Sequence, residues 1–101
     1  MALKKKVIMK AASSPEEKEK ILKFNQVVRR VAKNKFETVG FGIKLRELVK
    51  VIGATSIKVS LEIVKGKLKT TYKMNSDILI DKSYSTYKDF DTELTELENT
   101  L

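Results

Sequence analysis

Two pairs of cations, Lys44 with Arg46 and Lys65 with Lys67, are the side chains in this chain whose type and spacing suit the capture of an anion. The first pair follows Gly40-Phe41-Gly42 and the second brackets Gly66. Glycine at such a point lets a backbone turn tightly, so that amide N–H groups and neighbouring cations can approach a phosphate. Lys10 offers a third place where the same phosphate chain could be touched.

Other chemistries are poorly supplied. The chain holds no histidine and no cysteine, which removes the commonest general base, the commonest metal ligand, thiol nucleophiles and disulfides. Asp77 and Asp81 flank Ile78-Leu79-Ile80 and stand four positions apart on a strand, too far at about 3.3 Å per residue to share one metal easily. The carboxylates of the final segment, Asp89, Asp91, Glu93, Glu96 and Glu98, are expected on a solvated face with nothing to shift their protonation. No catalytic residue, no metal and no cofactor is therefore expected, and the chain reads as a non-enzyme.

Charge sharpens this reading. Residues 1–74 hold nineteen Lys and Arg against six Glu, and residues 75–101 hold two Lys against seven Asp and Glu. A basic body thus carries an acidic end. Such a body concentrates polyanions around it, nucleic acid first and acidic protein surfaces second. With 101 residues there is room for a single core. No apolar run reaches the roughly 20 residues that span a bilayer, and the first ten lack a secretory core, so a cytoplasmic protein with no membrane partner is expected.

The elements that must position these cations follow from periodicity. KKKVIMKAA (4–12) alternates as a first strand. Ser14, Pro15 and Glu17 then supply an N-cap, a first-turn proline and a capping box. Ile21, Phe24, Val28, Val31 and Ala32 form the apolar stripe of the helix they open. KFETVGFG (35–42) predicts a second strand and IKLRELVKVIG (43–53) a second helix, with Leu45, Leu48, Val49 and Ile52 on one face and Gly53 past its end.

SIKVSLEIVKGKLKTTYKM (56–74) alternates almost without error. A two-residue turn at Lys65-Gly66 sets Ile57, Val59, Leu61 and Ile63 opposite Met74, Tyr72, Thr70 and Leu68, and Glu62 opposite Lys69. DILIDKSY (77–84) reads as an edge strand, and Ser85 as the cap of a last helix striped by Tyr87, Phe90, Leu94 and Leu97. The expected fold is α+β, a two-layer α/β sandwich in β-α-β-α-β-β order. It divides into a basic domain over 1–76 and an acidic extension over 77–101 made of a strand and an amphipathic helix packed on the same domain.

Two familiar motifs fail on their own terms. Gly40-x-Gly42 lacks the third glycine of a dinucleotide fingerprint, since Leu45 stands there, and the chain is too short for a doubly wound sheet. A helix-turn-helix over 45–63 would need a helical period where Ile57 to Ile63 alternate with period two, and it would bury Glu62.

The order of these segments, with AASSPEEKE opening a helix and TVGFGIKLRELVKVIG joining strand, glycine turn and helix before a β-hairpin, resembles the Alba superfamily of nucleic-acid-binding proteins, including its bacterial sporulation-protein relatives. The resemblance covers about residues 4–74. It implies a homodimer that binds DNA or RNA with weak sequence preference through Lys10, through Gly42, Lys44 and Arg46, and through Lys65 and Lys67 at the hairpin. In the sequence AASSP stands where archaeal members carry paired lysines, and the acidic end has no counterpart in the family. The alternative from another class is a small regulatory or phage-type module that docks a basic face on an acidic protein partner.

Overall fold

The computed structural model describes residues 15–37 and 44–101. The expected strand at 4–12, the Ser14 cap, most of the strand expected at 35–42 and the Gly40-x-Gly42 turn lie outside the described residues, as do Lys10 and Gly42. Pro15 occupies the first turn of α1 (Pro15–Glu37), where its missing N–H leaves no partner unsatisfied, and Glu16 and Glu17 beside it favour the positive end of the helix dipole. The stripe expected from Ile21, Phe24, Val28 and Ala32 is buried, and it carries two polar members as well, Asn25 and Lys35.

Four antiparallel strands follow in simple succession: β1 (Arg46–Ile52), β2 (Thr55–Val64), β3 (Lys67–Met74) and β4 (Asp77–Tyr84). α2 (Tyr87–Asn99) closes the described chain. The fold is α+β, with one four-stranded sheet and two helices among the described residues.

Two expectations are overturned here. Lys35, Phe36 and Glu37 belong to the last turn of α1, not to a strand. The segment predicted as a second helix forms β1, which pairs with β2 so that Leu48 meets Val59 and Ile52 meets Thr55. Leu45, Leu48, Val49 and Ile52 do satisfy a helical spacing, yet the chain gains more by completing the ladder of β2, and Val49, Val51 and Ile52 are β-branched residues that suit a pleated backbone. Gly53 has the left-handed backbone expected of it, φ 59°, but uses it to turn between β1 and β2.

The central hairpin has the predicted register throughout. Ile57 pairs with Met74, Val59 with Tyr72, Leu61 with Thr70, Ile63 with Leu68, and Glu62 with Lys69. Lys65 and Gly66 both have positive φ, 53° and 78°, as a type I′ hairpin turn requires. Ile57, Val59, Leu61, Leu68, Tyr72 and Met74 face the helices and are fully or nearly fully buried. Each such side chain contributes about 1.5–3 kcal/mol when removed from water. Thr86, one residue later than expected, caps α2: its backbone is extended and its hydroxyl accepts from the Asp89 N–H at 3.1 Å.

α1 lies over β1 to β3, and α2 packs beside it and against β4. Phe90 and Leu94 fill the core under α2, with the Phe90 ring meeting Tyr84 edge-on at 5.7 Å between centroids. Between the helices, Arg29 donates to Asp91 at 2.6 Å and to both carboxylate oxygens of Glu98 at 2.8 and 2.9 Å. Glu98 is only 13% exposed, which corrects the expectation of a uniformly solvated acidic face on the last helix. The acidic end is therefore built into the core through Phe90 and Leu94.

A candidate polyanion-binding rim

Strand direction decides where the cations fall. β1 and β2 are antiparallel, so the start of β1 lies beside the end of β2, next to the β2–β3 turn. Arg46 stands opposite Leu61, and Lys44 lies two residues beyond it, level with the last turns of the ladder that leads to Lys65. By strand spacing the backbone positions of Lys44 and Lys65 are on the order of 10 Å apart. Lys44, Arg46, Lys65 and Lys67 thus gather at one end of the sheet, although the helix N-terminus expected to accompany Lys44 and Arg46 is replaced by the first residues of a strand.

They do not share one face. Arg46 pairs with buried Leu61 and so takes the helix side, whereas Lys67 pairs with Val64 and takes the open side. The cations wrap the rim. All four are exposed. Lys69 extends the series on the open side, where it faces Glu62 across the ladder.

A further cation was missed by sequence reasoning. Lys35, in the last turn of α1, is buried, and its ammonium donates to the backbone carbonyl of Lys44. This bond ties the end of α1 to the entry of β1 and so holds the rim in place. Burial first, and then the neighbouring charge of Arg46, pull the Lys35 ammonium below its ordinary value, while Glu62 acts in the opposite direction. The signal was present in the sequence, because Val28, Ala32 and Lys35 continue one helical stripe at spacings of four and three.

The open face of the sheet carries Lys58 and Lys73 beside Ser60 and Thr71, with Glu47 3.6 Å from the Lys58 ammonium. It carries no aromatic ring among the described residues. Phe24, Tyr72, Tyr84 and Phe90 are buried on the helix side, and Phe36 and Tyr87 pack against the same core. The described residues therefore offer no stacking platform for bases on this face.

Among the described residues no group of acidic side chains is arranged to hold a metal ion, and no helix is long and apolar enough to cross a membrane. No family model matches the chain, and no curated protein or solved structure matches it either.

Proposed function

We propose that this chain is a non-catalytic nucleic-acid-binding protein that grips the phosphate backbone of DNA or RNA across the rim formed by Lys44, Arg46, Lys65 and Lys67. The observation that carries the reading is the convergence of these four exposed cations on one end of the sheet by antiparallel pairing. Charges held together on a rigid edge act jointly on a polyanion, and each phosphate they neutralise releases a condensed counterion. The lack of aromatic rings among the described residues of the open face favours contacts with phosphates over contacts with bases, hence weak sequence preference.

Fluorescence anisotropy with a short labelled duplex tests the reading. With about four phosphates neutralised, the logarithm of affinity should fall against the logarithm of salt with a slope of roughly −4. Lys65→Ala with Lys67→Ala should reduce the slope by about 2. An affinity indifferent to salt would overturn the mechanism.

A second reading, a small regulatory module that docks on an acidic protein, draws support from Val49 and Val51, which are 61% and 65% exposed on edge strand β1. The two readings separate after nuclease treatment. An acidic protein partner stays bound to the chain without nucleic acid and is released by polar substitution of Val49 and Val51, a change that leaves duplex affinity untouched if the rim binds the duplex.

A further inference from the structure

Each edge strand of the sheet is accompanied by a groove against the neighbouring helix, and the two grooves have opposite charge. Beside β1, a groove of about 390 Å³ has Phe24, Val27, Val51 and Ile52 in its walls and is rimmed by Lys20, Lys23 and Lys50. Beside β4, a smaller groove of about 90 Å³ has Leu79, Ile80 and Leu97 in its walls and is rimmed by Glu93 and Glu96. Glu93 and Glu96 also line the adjoining cleft of about 390 Å³, together with Asp89 and with Lys82, which is bonded to Glu93.

The helices repeat the same opposition. One flank of α1 presents Arg29 to Asp91 and Glu98 on α2. At 100° per residue Lys20, Lys23 and Val27 lie on the other flank of α1, and Glu93 and Glu96 lie on the flank of α2 turned away from Asp91 and Glu98. The opposition of a basic and an acidic helix inside the molecule is thus repeated on the two outer flanks, by Lys20 and Lys23 on one and by Glu93 and Glu96 on the other.

We propose that copies of this chain join head to tail, with the β1 edge and α1 of one copy set against the β4 edge and α2 of the next. Among the described residues neither β1 nor β4 has a strand on its outer side, and the joint pairs the N–H and C=O groups that point there. The exposed Val51 and Val27 are covered in the process. Lys50 and Glu96 make no ion pair with another described residue and meet across the joint. Lys20 and Lys23 stand 3.9 and 3.7 Å from Glu16 and Glu19 in exposed pairs that exchange partners at little cost. Glu93 keeps its bond to Lys82. Because the two surfaces differ, nothing closes the assembly at two copies.

The proposal does not depend on the nucleic-acid reading, and its test is made on full-length protein freed of nucleic acid by nuclease and a high-salt wash. Sedimentation velocity at low salt should show mass rising with concentration beyond a dimer, and high salt should return it to the monomer. Lys50→Glu and Glu96→Lys, both at exposed positions, should each weaken association about tenfold. Mixed in equal amounts, the two variants should recover it, since each supplies the charge the other reversed.

Recovery on mixing cannot come from misfolded chains, so it supports the proposal directly. A wild-type chain that stays monomeric at low salt over the whole concentration range overturns it. So does a mass that stops at the dimer, or a mixture of cooperatively folded variants that fails to associate.

Discussion

The Tyr72 hydroxyl donates a 2.7 Å hydrogen bond to Asn25 Oδ1, joining the middle of the sheet to α1 across 47 positions of sequence. Asn25 in turn donates its amide N–H to Glu98 Oε2 at 3.1 Å, so one buried side chain connects the sheet and both helices. Buried polar groups linked in this way fix which elements face each other, because any other arrangement leaves them without partners. Asn25→Ala should cost about 2–3 kcal/mol, since it leaves the buried tyrosine hydroxyl without its acceptor and removes one of the two bonds to Glu98 Oε2, and Tyr72→Phe about 1 kcal/mol. Urea unfolding of the two variants measures the difference, and equal costs would place no weight on Asn25 as the connector.

Arg29 carries the helix–helix contact. It is 12% exposed and satisfies Asp91 and Glu98 at once, and those bonds hold its own proton more firmly than usual. Arg29→Ala should destabilise the fold by about 3 kcal/mol, because two carboxylates lose their cation in a partly buried place. Adding Glu98→Gln to that variant should recover part of the loss, and a double-mutant cycle reads the coupling.

Alkaline pH should attack the core through its tyrosines. Burial raises the phenol of Tyr72 above its ordinary value, and burial followed by the charge of Glu93 does the same for Tyr84. Burial raises Tyr87 as well. A phenol raised in the folded state contributes stability that is complete below its unfolded value of about 10 and is lost as pH climbs above it. These are the three tyrosines of the chain. Tyrosinate absorbance should therefore rise together with the loss of circular dichroism, not ahead of it, and Tyr72→Phe should move the transition to higher pH.

Stability and binding should separate at one residue. Lys65 holds a left-handed backbone, φ 53°, in the hairpin turn, where asparagine is more at ease. Lys65→Asn should stabilise the fold by about 0.5–1 kcal/mol while reducing the salt slope of duplex binding by about 0.9. A thermal melt and an anisotropy titration on the same sample show whether the two move in opposite directions.

Much of this could be read from the residues themselves. The hairpin from Ile57 to Met74 alternates so regularly, around a turn whose second residue is glycine, that pairing and register follow together. The stripes of α1 and α2 were equally plain. β1 was not, and its burial explains the failure. The residues on its helix side include exposed Arg46 and Lys50, while Val49 and Val51 on its open side are exposed as well. An edge strand lying past the cover of its helix loses the alternation by which strands are recognised, and a helical spacing among its leucines and valines takes its place. The cations of the rim were legible as clusters, whereas Lys35 and Asn25 looked like ordinary polar residues until the stripe they share with Val28 and Ala32 was followed through.

Among the described residues the sheet has four strands in unbroken antiparallel succession, so β1 and β4 run in opposite senses. A neighbour laid antiparallel against β4 consequently arrives in the same orientation as the first molecule, with its helices above the same surface and its Lys44–Lys65 corner pointing the same way. A row built by this repeat would line up every such corner along a single side, and a long polyanion lying there would be held by many weak grips at once, more tightly than any one of them could manage.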